Sequence, residues 1–401
     1  MPTRTPALPE VGLVALVADE WNHRWQPRHQ IISRLAQYFH VVWVNPPAHW
    51  TRVFDRLGGT RSDPPAAPPG FEAYNAEFWL PKFYGPSWLA KWTDRLRLEK
   101  SRDRLRRKGC QKIILYLWRP EFSYAMELLP ADLTCYHMDD EYTFSSVEQP
   151  VLEAERRLIE TVGQVFINSQ ALMEKKSQFN PRTVQLPNGV DFAAFSAPVR
   201  EPPDIAVIPH PRIGYSGWMK KQLDWDLLLH LAIKRPDWNF VFVGAVNQHE
   251  GLAYWVSQLS SCRNVWFLGS KTTSEISAYP QHFDVCLMPY REDGYTKYIY
   301  PLKVHEYLAS GRYTVGTPLP ALKEFDGVVA LPRSRDEWLA AIEAGLGPRA
   351  NSLEARRSRQ QVARSYDWDT LVFRIASVMA DRLGPPYSQV LEKLSLSSHA
   401  R

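Results

Sequence analysis

At 401 residues, 45% hydrophobic and 23% charged, the chain is too long for one ordinary core and suits two domains. That composition excludes wholesale disorder and collagenous or coiled-coil architecture. The net charge of +5 is modest, but the positive charge is unevenly spread. Its apolar stretches, such as 11–18 and 235–246, fall short of the roughly 20 residues that a membrane-spanning helix needs, so no such helix is expected. The opening MPTRTPALPE lacks the apolar core of a secretory signal, which predicts a cytoplasmic protein. Cys110, Cys135, Cys262 and Cys286 lie far apart without metal-ligand spacing and read as free thiols, mostly buried.

In chain order, short apolar runs alternate with longer amphipathic stretches, the pattern of parallel α/β architecture. The runs 11–18, 41–45, 112–118, 132–138, 162–168 and 182–188 predict a first series of strands, with helices over 30–39 and 151–162. Proline and glycine crowd 46–85, where a long irregular excursion is expected. The proline-rich stretch 196–211 predicts an interdomain linker. A second strand series follows at 212–218, 238–244, 264–269, 283–289 and 312–317, with helices over 224–233, 301–310 and 335–346. These series predict Rossmann-like domains at 1–200 and 201–367, a helix over 368–385 packing back on the first domain, and a flexible tail at 386–401.

Four segments go together: FINSQALMEKK (166–176), LPNGVDFAAF (186–195), FDVCLMPY (283–290) and PLKVHEYLASG (301–311). In order and spacing they resemble retaining glycosyltransferases of the GT-B fold, in particular the family 4 group (glycosyl transferases group 1) and its capsule and teichuronic-type members. The resemblance implies two Rossmann-like domains facing across a cleft, the first binding the acceptor and the second the nucleotide sugar. It also implies transfer of a hexose-type sugar from a UDP-, GDP- or dTDP-linked donor to a saccharide or lipid-linked acceptor. Retention of configuration and a role in cell-surface polysaccharide or glycolipid biosynthesis come with it. The nucleotide sugar is then a co-substrate, and neither a cofactor nor a metal is expected.

A departing diphosphate gathers negative charge, so its site needs fixed cations and aligned amide donors. In GYSGWMKK (214–221), Gly217, Lys220 and Lys221 follow a strand and precede a helix, a place where backbone N–H groups and lysines can meet phosphate. Both lysines could equally decorate an exposed turn, and Trp218 stands where the family often has arginine. The matching glutamate of the family accepts hydrogen bonds from ribose hydroxyls, which assigns that role to Glu306; the alternative is a solvent-facing helix residue. Lys303, at the helix start, could reach the diphosphate or pair with Glu306. One departure is plain: the family's pattern has two glutamates separated by seven residues, and eight positions before Glu306 stands Tyr298. Donor contacts are therefore expected from Tyr298, Tyr300, Lys297 or the amides of 293–303.

In the first half, TCYHMDDEY (134–142) ends a strand at the edge where open α/β sheets collect ligands. The resemblance places His137 facing the donor sugar as a catalytic candidate; Asp139, a second catalytic candidate, or Asp140, on the acceptor side, could orient it or hold an acceptor hydroxyl. An acidic cluster at a helix N-terminus is the competing reading. Neighbouring residues on a strand point to opposite faces, which argues against a metal on the aspartates. Glu20, Trp21, His23, Arg28, His29 and Gln30 crowd a loop expected to line the acceptor side, with Arg28 and His29 foremost.

From 81 to 108 the chain reads as a basic amphipathic helix with Trp88, Leu89, Trp92, Leu96 and Leu105 at helical spacing. Such a helix, over 86–108, either lies on the inner face of the membrane beside a lipid-linked acceptor or packs its stripe on its own domain. No nucleic-acid partner is expected, since no recognised binding motif accompanies the charge. Two further classes stay open: a catalytically weak GT-B protein that binds nucleotide sugar beside a partner enzyme, and a nucleotide-sugar epimerase or hydrolase.

Overall fold

The computed structural model describes residues 5–22, 25–47, 67–247 and 251–399. Two parallel sheets organise the chain. The first holds β1 (Val11–Leu16), β2 (His40–Val44), β3 (Phe71–Tyr74), β4 (Lys112–Leu117), β5 (Leu133–Met138), β6 (Gln164–Ile167) and β7 (Thr183–Gln185), in the order β3-β2-β1-β4-β5-β6-β7. The second holds β8 (Arg212–Ser216), β9 (Asn239–Val243), β10 (Val265–Phe267), β11 (Val285–Met288), β12 (Tyr313–Gly316) and β13 (Val329–Ala330), in the order β10-β9-β8-β11-β12-β13.

All eleven expected strands are present, and the reason lies in their composition. Helices cover both faces, so central strands are apolar throughout, as in VGLVAL of β1 and VCLM of β11, every residue of which is buried. Such runs are conspicuous in a sequence. Two strands were not expected. β3 is only FEAY, set among prolines and glycines in the supposed excursion, yet it pairs with β2 from Val41↔Phe71 to Val44↔Tyr74. β13 is two residues long at the sheet edge.

The first helix begins at Pro27 rather than 30, because proline's fixed φ suits the first helical turn and His29 closes a capping box with Gln26. The proline-rich 196–211 stretch is not a loose linker: it holds a short helix, Pro203–Ala206, and buries Ile205 and Ile208 in the second core. The tail expected to be flexible forms a helix, Pro385–His399. Gly384, at φ 114°, turns the chain, after which Leu391 is buried and Tyr387 and Val390 pack on the preceding helix.

That preceding helix, Trp368–Leu383, comes after the second sheet but belongs to the first core. Trp368, Leu371, Val372, Ile375 and Met379 pack with Val11, Leu13 and Ile31. The backbone crosses between halves at a paired point, where the Val190 N–H donates to the Tyr366 carbonyl at 2.9 Å and the Trp368 N–H to Val190 at 3.0 Å. Among the described residues, no helix is long and apolar enough to cross a membrane.

Candidate active site in the interdomain cleft

A cavity of about 420 Å³ opens between the two sheets, within the range of small-molecule sites. Residues just past the carboxyl ends of β5, β8, β9 and β11 line it, namely Asp139, Asp140, Gly217, Gly244 and Tyr290. That edge is where parallel α/β sheets bind ligands.

The C-terminal wall is built on the Leu302–Ala309 helix. Val304 and Leu308 are fully buried, and Ser216 at the end of β8 donates its backbone N–H to the Tyr307 hydroxyl at 2.9 Å. This fixes the helix against the strand, so Lys303 and Glu306 reach the cleft from one anchored turn. The Lys303 ammonium lies 5.1 Å above the Tyr215 ring. It also lies where a side chain on residue 217 would be, since a Cβ there would stand 2.7 Å from Lys303 Nζ. Gly217 has φ 132° and Gly244 φ 140°, a region that side chains avoid, and a Cβ on Gly244 would run into the Gly217 carbonyl. The bare backbone of these two glycines gives the wall its concavity.

Burial acts on Lys303 to lower its pKa but is outweighed by Tyr215, Tyr290 and Glu306, so the ammonium stays charged. Burial also pushes the Glu306 carboxyl up, against the opposing charge of Lys303. Among the described residues none donates a hydrogen bond to the Glu306 carboxylate, which is left facing the cavity. Lys220 joins this wall, 4.6 Å over the Trp218 ring.

The opposite wall carries the aspartates. Asp139 accepts from the Tyr142 hydroxyl at 2.9 Å and pairs with Arg28 at 3.3 Å, and Arg28 is itself bound to Asp19. Asp140 accepts from the Glu141 N–H at 2.9 Å and from the Tyr295 hydroxyl at 2.8 Å. Burial and then the neighbouring Asp139 charge push its carboxyl up to about 7, against the pull of Tyr295, Glu141 N–H and Lys220.

Of the residues singled out in the sequence, Gln30, Asp139, Asp140, Gly217, Lys220, Tyr300, Lys303 and Glu306 share this cleft. The following do not. His137 is 1% exposed, stacked 4.2 Å from Trp118 inside the first core and hydrogen-bonded through Nδ1 to the Tyr116 hydroxyl at 2.7 Å. Burial lowers its pKa to about 3, so it stays neutral at pH 7. The expected sugar-facing ring is turned inward because Cys135 and His137 share the strand face that packs towards Phe166. His29 is likewise buried, its Nδ1 bonded to the Gln26 N–H at 3.1 Å. Arg28 stands behind Asp139 rather than on the cavity wall. Lys221 is exposed beyond it.

Tyr298 also departs from its expected place. Its hydroxyl donates to Glu148 at 2.6 Å, and its carbonyl accepts from Ser169 at 3.2 Å, so it fastens the 293–300 loop to the first domain instead of facing a donor sugar. Lys297 pairs with the same Glu148 at 3.3 Å, and the Tyr300 hydroxyl donates to Glu324 at 2.6 Å. His23 lies outside the described residues.

Several cleft residues carried no sequence signal. Lys271, paired with Asp204 at 2.7 Å, and Ile276 come from the segment after β10, Tyr295 from the loop after β11, and Trp25, Gln26 and Trp368 from the first domain's side. They converge from loops distant in sequence.

Residues 210–347 match the family described as Glycosyl transferases group 1. A putative teichuronic acid biosynthesis glycosyltransferase, TuaH of Bacillus subtilis (strain 168), is 27% identical over 236 residues. That match takes in 56% of this chain and 58% of the relative, so it spans little more than half of either. Among solved structures, sucrose-phosphate synthase from Thermosynechococcus elongatus superposes with a TM-score of 0.69 at 14% identity, covering 92% of this chain and 98% of that one. An E. coli trehalose-6-phosphate structure bound with UDP-2-fluoro glucose gives 0.61 at 12% identity, covering 93% and 99%. At such identities the likeness concerns the fold, which is GT-B: two Rossmann-like domains across a cleft.

Proposed function

We propose that the protein is a glycosyltransferase that moves a hexose-type sugar from a nucleotide-diphosphate donor to a saccharide or lipid-linked acceptor, with retention of configuration. The observation that carries this reading is the C-terminal wall, where Glu306 and Lys303 stand one turn apart beside the bare backbone of Gly217 and Gly244. A carboxylate facing the cavity can accept from both hydroxyls of a ribose. A diphosphate fits beside it, against Lys303, Lys220 and the N–H groups that open the Leu302–Ala309 helix. The lysines supply the positive charge that the leaving group requires, so the reading needs no metal.

As the glycosidic C–O bond to phosphate breaks, charge grows on the diphosphate oxygens, where pre-placed cations stabilise it most. The acceptor oxygen forms the new bond to the anomeric carbon on the same face, and its proton passes to the departing phosphate oxygen. Asp139 and Asp140 accept hydrogen bonds from acceptor hydroxyls and orient them. His137, buried and neutral, supports the strand that carries these aspartates. The named relative in teichuronic acid biosynthesis supports a place in cell-surface polysaccharide synthesis, and the UDP-2-fluoro glucose in one structural neighbour supports a UDP-linked donor ahead of GDP or dTDP. A lipid-linked acceptor would put the protein at the cytoplasmic face of the membrane.

One observation favours a second reading, a GT-B protein that binds nucleotide sugar without turning it over: Tyr298, at the place of the family's first glutamate, is engaged with Glu148. Two measurements separate them. A thermal-shift screen over UDP, GDP, dTDP and their sugars should show a melting temperature rising with ligand concentration for one of the nucleotides. Incubating that donor with extracted membrane glycans should then yield glycosylated product, whereas a binding protein gives the shift alone. No shift with any nucleotide would refute both.

A further inference from the structure

The surface around the start of the Ser87–Arg107 helix serves none of the roles described above. Within fifteen residues, Phe78, Trp79, Tyr84, Trp88 and Trp92 stand out of the protein with 49–73% of each exposed. Isolated apolar residues on a surface are ordinary, but a cluster of large aromatics marks an interaction site. These rings are not a misplaced core. The helix buries its opposite face through Thr93, Arg97, Leu98, Ser101 and Leu105. Arg97 further donates to the carbonyls of Leu80 and Pro81 at 2.9 and 2.8 Å, which holds the aromatic loop against the helix. The expected stripe thus divides: Leu105 packs inward, while Trp88 and Trp92 face out.

Positive charge lies beside the rings. Residues 78–108 contain ten lysines and arginines against three acidic residues; Glu77 pairs with Lys100 and Glu72 with Arg104 and Lys108, which leaves Lys82, Lys91 and Arg95 as the cations of the patch. Lys82 lies 5.1 Å over the Tyr84 ring and Lys100 5.1 Å over Trp79, while Lys91 and Arg95 share the exposed helix face with Trp88 and Trp92. Topology then gives the patch its position. β3 runs parallel to β2 and ends at Tyr74, so the loop 75–86 and the first helical turn lie at the carboxyl edge of the sheet. Asp139 and Asp140 open into the cleft from that same edge.

We propose that this patch docks the protein on an anionic lipid bilayer, its rings entering the headgroup boundary and its cations meeting lipid phosphates. Tryptophan and tyrosine favour that boundary because one end of each ring is apolar and the other polar. Lysines and arginines beside them are drawn to the phosphates of an anionic surface. Docking in this orientation puts the acceptor wall of the cleft near the bilayer. That a lipid-linked acceptor is thereby delivered rests on the glycosyltransferase reading, but the docking itself does not.

Flotation of the full chain with vesicles tests this. With vesicles mixing phosphatidylglycerol and phosphatidylcholine the protein should float, and with phosphatidylcholine alone, or at high salt, it should stay largely in the soluble fraction. The double variant Trp88→Ala/Trp92→Ala should lose about tenfold or more in bound fraction, as should Lys91→Glu/Arg95→Glu, with melting temperature and nucleotide-induced shift unchanged. Wild type remaining soluble with phosphatidylglycerol vesicles, or a double variant that floats as well as wild type, would overturn the proposal. So would retention on insoluble polysaccharide without flotation, which would make the rings a saccharide platform. Flotation by a protein that no nucleotide stabilises would support docking while sinking the transfer reading.

Discussion

Tyr295 and Asp140 meet across the cleft, the phenol of one domain donating to the carboxyl of the other at 2.8 Å. The loop carrying Tyr295 makes further links to the same domain, through Gly294 N–H to the Ser146 carbonyl at 2.7 Å and Tyr298 to Glu148. The two domains are therefore held together beside the cavity, at the aspartate wall.

This contact has a pH signature. Folded Asp140 keeps its proton up to about 7, whereas the unfolded carboxyl loses it near pH 4. Between those values the folded chain binds more protons, so Asp140 contributes stability at low pH that is lost as pH rises to about 7. Asp140→Asn removes the titration. Its stability relative to wild type should improve by roughly 1–3 kcal/mol between pH 5 and pH 8, read as a narrowing or reversing gap in melting temperature. A gap that does not change with pH would show that Asp140 is not raised.

Glu306→Ala should weaken nucleoside diphosphate binding by about tenfold to a hundredfold, the loss of two hydrogen bonds to a charged acceptor. Because the carboxylate faces the cavity and no described residue donates to it, folding should be little affected. Isothermal titration with the nucleotide found by thermal shift checks this, and unchanged affinity would remove the ribose role.

At the paired glycines, Gly244→Ala forces a Cβ into the Gly217 carbonyl at a φ of 140°. The expected cost is about 2–4 kcal/mol. Lower melting temperature with lost nucleotide binding is the anticipated result; a variant that melts and binds like wild type would mean the two backbones are not in contact.

For His137→Ala the expected defect is in folding. The substitution opens a hole beneath Trp118 and leaves the buried Tyr116 hydroxyl without its partner at 2.7 Å, at a cost of about 2–4 kcal/mol. Urea midpoints should fall accordingly. If stability is unaltered while transfer stops, the imidazole acts in catalysis after all.

How much of this was legible depended on whether the signal was local. β1 and β11 are continuous apolar runs and stand out as strands, while Lys303 and Glu306 stand out through the resemblance of their helical segment, 301–311, to a known family. Asp139 and Asp140 followed from being just past a strand end. His137 was misplaced because one residue of register on a strand decides between edge and interior, and the pleat sent it towards Phe166. β3 escaped notice because four residues among prolines show no periodicity. Lys271, Tyr295 and Trp368 were invisible as site residues, since only tertiary packing brings them to one cavity.

The Trp368–Leu383 helix has a consequence for biosynthesis. The first sheet is complete as a set of strands by Gln185, yet one wall of its hydrophobic interior is made of Trp368, Leu371, Val372, Ile375 and Met379. A ribosome delivers that wall only after the whole second sheet has emerged. The first half must therefore wait, with Val11, Leu13 and Ile31 incompletely covered, until the second half has followed it. A fragment stopped before Trp368 should be sticky and chaperone-dependent even though it contains every strand of the first sheet.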